Sequence, residues 1–246
     1  MSDESSLISH LIELRQRLTR CVIASGIVFL ALMGFANSLY SHIALPLIAQ
    51  LPDNSSMIAT EVAAPFLAPF KLTLFVSIAL VMPYILYQAW GFIAPGLYNR
   101  EKRFALPVLV SSVLLFYFGM AFAYFVVLPL LFGFLVATAP EGVAVMTDIS
   151  RYLDFIIKLF FAFGLAFEVP VITCLIVASG LVSADALAQK RPYIIIAAFV
   201  FGMLLTPPDI ISQILLAVPM WFLFELGLFL SHRYFKPSNN RHELSD

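Results

Sequence analysis

Charged residues in this chain are separated by long apolar runs. None occurs between Arg20 and Asp53, between Lys71 and Arg100, or between Arg103 and Glu141. A helix needs about 20 mainly apolar residues to cross the hydrocarbon core of a bilayer. Each gap holds such a segment, at about 21–40, 70–92 and 105–131. A fourth run, about 154–178, is apolar apart from Lys158 and Glu168. The last stretch, Pro192 to Ser231, is interrupted by Thr206-Pro207-Pro208-Asp209. Proline lacks a donor and disfavours helix in the residue before it, so this stretch splits into helices over about 192–206 and 211–231. The fifth helix is near 15 residues, below spanning length, so it calls for a locally thin bilayer or a shielding partner. The pattern predicts an all-α polytopic membrane protein of six transmembrane helices, the last two short.

Ahead of the first run, Leu7, Leu11, Leu14 and Leu18 recur at helical spacing, with His10, Glu13, Arg17 and Arg20 on the other side. Ser5 or Ser6 can cap the start. Residues 1–20 are therefore expected as an amphipathic interfacial segment, 21–231 as the membrane domain and 232–246 as a tail. Arg15, Arg17 and Arg20 before Cys21–Phe35, with Gly34, Ala36 and Ser38 after it, also follow the plan of a cleaved leader. The helical patterning upstream and the spans downstream identify the run as a first anchor instead.

Composition agrees with lipid as the main solvent. The 246 residues are 61% hydrophobic and 12% charged, with mean hydropathy +0.96, against roughly 25% charged in soluble domains. A formal charge of -1 argues against a nucleic-acid partner. Cys21 and Cys174 sit in apolar runs without metal-type spacing, so neither a disulfide nor a metal site is expected. Charge also orients the chain. Eleven of the 14 Lys and Arg residues fall in the N-terminal segment, the second-to-third and fourth-to-fifth loops, and the tail. The positive-inside rule then places both termini in the cytoplasm. The outer connections, about 41–69 and 132–153, mix apolar residues with Pro46, Pro52, Pro65, Pro69 and Pro140 and are expected to pack as a cap.

Few residues in this apolar chain can carry chemistry. Glu13 invites two readings: an i,i+4 pair with Arg17, worth a few tenths of a kcal/mol, or an acceptor for an external cation. Glu101, the one acid among Arg100, Lys102 and Arg103, is either local charge balance or a second acceptor for that cation. If Glu13 and Glu101 converge, each can accept a guanidinium in a two-pronged geometry that lysine cannot supply. Glu168 lies mid-span beside Pro170, where a charge costs about 2.5–3.5 kcal/mol on insertion scales. It is either a neutral carboxyl hydrogen-bonded between helices or a functional polar notch. Asp209 is placed to cap the sixth helix. Thr206 and Gln213 can pair internally or bind another membrane helix. Hydrolase, metalloprotease and phosphate-loop motifs are missing, and His10, His42, His232 and His242 all avoid span interiors, so catalysis and a cofactor are not expected.

Five ordered blocks carry a family likeness. They are His10-Leu11-Ile12-Glu13-Leu14-Arg15-Gln16-Arg17-Leu18; the loop from Gly91-Phe92-Ile93-Ala94-Pro95-Gly96-Leu97 to Glu101-Lys102-Arg103; Phe167-Glu168-Val169-Pro170; Lys190-Arg191-Pro192-Tyr193; and Leu205-Thr206-Pro207-Pro208-Asp209. With this topology, the chain resembles the TatC family, the six-span core of the twin-arginine protein translocase. The resemblance implies a cupped bundle in the bacterial inner membrane that recognises Arg-Arg signal peptides of folded cargo. It implies that Glu13 and Glu101 receive the arginines, with Arg15, Arg17, Phe92 and Arg103 on the same cytoplasmic surface. Pro46 and Asp209 match sensitive outer positions, and Glu168 an acid on the concave face. Thr206 and Gln213 match a docking region for the single-span partners TatA and TatB. Self-association in a multimeric receptor and transport driven by the proton gradient are implied as well. The rival readings are a proton-coupled small-solute transporter using Glu168, which the lack of matching halves weakens, and a purely structural subunit.

Overall fold

The computed structural model describes residues 2–48, 57–93, 105–138, 147–180, 182–205 and 210–234, and these are almost wholly helical. Helix α1 (Ser2–Leu32) leads through a 3-10 turn into α2 (Ala36–Ile48), followed by α3 (Ala64–Ile93), α4 (Ala105–Phe122) and α5 (Leu128–Ala137). Then come α6 (Ile149–Ala166), α7 (Val169–Ala178), the short α8 (Ala184–Ala188), α9 (Arg191–Leu205) and α10 (Ile210–Tyr234). Among the described residues, five stretches are long and apolar enough to cross a membrane: Ile8–Ala44, Ala64–Phe92, Leu106–Phe134, Ile149–Ala178 and Gln213–Arg233. A sixth apolar helix, Arg191–Leu204, is shorter. The expected all-α membrane architecture is therefore present.

Two elements differ in extent from the sequence pattern. Residues 2–32 form one unbroken helix, so the amphipathic segment and the first span are continuous. No Pro separates Leu18 from Val22, and a helix already formed extends more easily than a new one starts. Leu11, Leu14 and Leu18 of its stripe point outward, Leu18 being 62% exposed, while Glu13, Arg17, Cys21 and Ser25 lie on the side turned inward toward α3. In lipid this inverted arrangement is sensible, because apolar side chains gain nothing by leaving hydrocarbon and polar ones need partners. At the other end of the chain, α9 has 15 residues, as its apolar run suggests, whereas α10 reaches 25.

Helix α6 is the centre of the bundle. Tyr152, Leu153, Ile156, Leu159, Phe160 and Phe163 are buried at helical spacing and meet Leu72 and Phe75 of α3 and Leu128 and Phe132 of α5 in one cluster. Glycine lets α4 and α6 approach closely. A Cβ at Gly119 would lie 2.5 Å from the Phe163 carbonyl oxygen, and one at Gly164 would lie 2.6 Å from the Phe116 ring. Between α4 and α5 the helix widens into a π turn over Ala123–Val127, closed by the Leu128 N–H donating to Ala123 O. Pro129 follows at once and cannot donate, so the extra residue falls where an α-helical bond is already missing.

At the end of the bundle opposite the N-terminus, the two long connections are stitched together. The Ile58 N–H donates to Thr147 O (3.0 Å) and the Ile149 N–H to Ile58 O (2.9 Å). Asp148 caps α6 by accepting from Ser150 N and Arg151 N through Oδ1, at 2.9 and 3.0 Å. Its Oδ2 accepts from the Thr60 N–H (2.9 Å) and hydroxyl (2.6 Å). Tyr124 and Tyr152 donate to the carbonyls of His42 and Ile43, fixing α2 beneath this seam. The Thr60 hydroxyl, the Arg151 N–H and the remaining donors favour the charged form of Asp148 and hold its pKa at about 2.

That depression means the seam contributes stability above the ordinary aspartate range and loses it as pH falls toward 2. The thermal midpoint of the native protein in detergent is expected to drop below about pH 4. Asp148→Asn should start lower at pH 7 and lack the part of that drop due to this group, which a paired melting series will show. Gly119→Ala should cost about 1–3 kcal/mol through overpacking, measured in the same assay at neutral pH.

Candidate functional site

The end of the bundle that carries the N-terminus holds a guanidinium enclosed by acceptors from two helices. Arg17 of α1 donates from Nε and Nη2 to Glu13 Oε1, at 2.9 and 2.6 Å. From Nη1 it reaches the side-chain Oε1 and the backbone O of Gln88, at 3.1 and 3.3 Å, and from Nη2 the Gly91 carbonyl at 3.0 Å. The local i,i+4 pair is thus present, and it also serves as a tertiary tie between α1 and α3. Gly91 lies in the last turn of α3, where carbonyls have no intrahelical donor and the helix dipole favours a cation. A Cβ at Gly91 would stand 2.5 Å from Arg17 Nη1, so this approach needs the missing side chain. About two turns toward the N-terminus from Arg17, His10 stacks on Phe92 with ring centroids 4.1 Å apart.

Of the residues expected on this surface, the structure brings Glu13, Arg17 and Phe92 together. Arg15 is exposed on the same helix. Glu101 and Arg103, like Thr206 and Asp209, lie outside the described residues, and Pro46 falls within α2. Gln88 was missed by sequence reasoning. It is 6% exposed and supplies both its amide oxygen and its carbonyl. The available signal was an amide one turn before Phe92 in an otherwise apolar span.

Glu168 stands at the junction where α6 ends and Val169-Pro170 start α7. Its residue is 7% exposed, Ser112 of α4 is within hydrogen-bonding reach of the carboxyl, and Oε1 has no hydrogen-bond partner among the described residues. Pro170 has no N–H for the carbonyl one turn back, so the site is a local gap in backbone pairing. Both readings of Glu168 share this geometry: a carboxyl between helices at a polar notch. Helix α10 lies along α7, with Gly227 set close against Pro170 and Thr173.

The last two helices form a hairpin with Gly202 set against the Gln213 backbone. Gln213 is half-buried at this crossing. Alongside it runs a shallow apolar groove lined by Ile195, Ala198, Phe199, Ala217, Val218 and Trp221. Arg191 and Glu225 form a two-pronged pair across the hairpin, at 2.6 and 2.9 Å. Glu225 is a second intramembrane acid that sequence reasoning passed over, and the arginine that balances it lies 34 residues away.

Comparison with known proteins bears on these features. Residues 9–219 match the family described as Sec-independent protein translocase protein (TatC). The chain is 60% identical over 227 residues to the Sec-independent protein translocase protein TatC of Azotobacter chroococcum mcd 1, covering 92% of this chain and 89% of that one. It is 58% identical over 243 residues to the protein of that name in Escherichia coli (strain K12), covering 99% and 94%. A crystal structure described as Twin Arginine Translocase Receptor-TatC superposes with a TM-score of 0.82 at 36% identity, covering 91% of this chain and 98% of that chain. Matched in sequence and in fold over nearly its whole length, the chain belongs to the TatC family of Sec-independent protein translocase proteins.

Proposed function

We propose that this protein is the receptor subunit of a twin-arginine translocase, binding Arg-Arg signal peptides of folded cargo at the face formed by the start of α1 and the end of α3. The observation that carries this reading is the guanidinium already seated there. A carboxylate, an amide oxygen and two carbonyls converge in the geometry that arginine satisfies and lysine does not. Glu13 supplies the described carboxylate, and Glu101, in the sequence between α3 and α4, is the second. Arg15, Arg17, Phe92 and Arg103 complete the surface. Both termini are cytoplasmic, in a bacterial inner membrane, by the distribution of Lys and Arg.

The subunit is a platform as well as a receptor. The groove beside the α9–α10 hairpin suits a single-span helix of the TatA or TatB kind, and Thr206 and Gln213 are the polar residues assigned to that docking. Such a partner would cover the short α9, whose exposed Ile196, Phe201 and Leu204 otherwise face lipid alone. Several copies joining in one receptor complex accord with the exposed outer face of α1. Energy comes from the proton gradient, and the chain itself is not an enzyme.

Binding of a fluorescent Arg-Arg signal peptide to the purified protein in nanodiscs tests the reading. Each lost charge-assisted hydrogen bond is worth about 1.5–3 kcal/mol, or roughly ten- to a hundredfold in affinity. Glu13→Gln with Glu101→Gln should weaken binding by at least about that factor without altering membrane insertion. A Lys-Lys peptide should bind the native protein poorly. Undiminished binding by the double variant would refute the assignment of the two acids.

A further inference from the structure

The guanidinium seat is filled by a residue of the protein itself. Arg17 spends five hydrogen bonds on four acceptor atoms that an incoming arginine would also want: Glu13 Oε1, Gln88 Oε1 and the carbonyls of Gln88 and Gly91. Were Arg17 to leave with nothing in its place, the half-buried carboxylate, the buried Gln88 amide and an end-of-helix carbonyl would lose charge-assisted bonds together. Unpaired buried acceptors are costly, so the empty seat selects strongly for another guanidinium. Arg17 is not enclosed by protein on all sides: its side chain is 23% exposed and that of its Glu13 partner 39%, which leaves it a way out of the seat.

We infer that Arg17 is a displaceable internal stand-in for one arginine of the signal peptide, and that Gln88 is a specificity-determining residue of the vacated seat. The inference rests on the receptor function proposed above and adds a regulatory step to it. Peptide and Arg17 exchange on the same acceptors, so the resting receptor is self-blocked and weak guanidinium ligands are rejected. The peptide wins because it brings a second arginine and an apolar segment that Arg17 does not. Gln88 enforces the choice of ion. Its side-chain oxygen and carbonyl flank one nitrogen of the fork while Glu13 takes the opposite edge, a spread that a compact ammonium cannot span. A competing occupant lowers apparent affinity by the fraction of time the seat is free. If Arg17 fills it roughly nine-tenths of the time, affinity is held about tenfold below its intrinsic value.

The test uses the full chain in nanodiscs and the fluorescent Arg-Arg peptide. Arg17→Gln should bind about tenfold more tightly than the native protein. Arg17→Lys keeps the charge and the helix but cannot fill the fork, and should tighten binding by a smaller factor. Adding Gln88→Leu to Arg17→Gln should remove the gain, and a Lys-Lys peptide should gain nothing from either Arg17 variant. Unchanged or weaker binding in both Arg17 variants, with Glu13→Gln still weakening it, would make Arg17 a fixed part of the receptor; the inference would fall and the function stand. If the Glu13→Gln, Glu101→Gln double variant leaves binding of the native peptide intact, the assignment of the two acids falls and this inference falls with it. A gain that survives Gln88→Leu overturns the role given to Gln88.

Discussion

A guanidinium held along one apolar helix beside the end of another must find acceptors, and Arg17 finds them on both helices. That requirement organises the N-terminal end of the molecule. It turns the polar side of α1 inward, draws the end of α3 against it and sets the guanidinium where a Cβ at Gly91 would have to displace it. The leucine stripe is left facing lipid, at no cost in a solvent as apolar as the side chains themselves. An exposed i,i+4 pair would contribute little by itself. Here the pair is extended into a network with a buried amide and a helix terminus, where loss of one member strands the others. The same set of acceptors provides the chemistry for recognising arginine. Structural tie and candidate receptor site are one arrangement.

The remainder of the fold holds that end in place. Close glycine contacts between α4 and α6, and between α7 and α10, supply the van der Waals packing that drives helix association in lipid. The Asp148–Thr60 seam closes the opposite end, so the bundle is fastened at both faces. Between them, the break at Glu168 leaves a buried carboxyl oxygen without a partner among the described residues. A protein that only needed to be stable would have little reason to retain it, since such a group is costly in hydrocarbon.

Much of the architecture was legible in the sequence because bilayers impose a simple rule. Gaps between charges mark helices, and Pro207-Pro208 and Pro170 mark breaks. The family likeness then directed attention to Glu13, Arg17 and Phe92, which the structure brings together. Orientation of α1 about its own axis was not legible, because a leucine stripe in water faces the protein while one in lipid faces away. Gln88, Asp148 and Glu225 escaped notice for a shared reason. Their partners lie 71, 88 and 34 residues distant, and pairing over such separations is decided by tertiary packing rather than by local spacing. The meeting of Glu13 with Glu101 is a matter of sequence and family likeness alone, since Glu101 lies outside the described residues.

The central claim is that the α1–α3 junction receives the arginines of a signal peptide. Site-specific photocrosslinking tests it most directly, with the reactive group placed at His10 beside Phe92 and, as a control, at Leu30 on the lipid-facing side of α1. The account predicts a crosslink from position 10 to the Arg-Arg segment, competed away by unlabelled Arg-Arg peptide but not by its Lys-Lys version, and none to that segment from position 30. Equal crosslinking of both peptides from position 10, or capture of the Arg-Arg segment from position 30 alone, would contradict it.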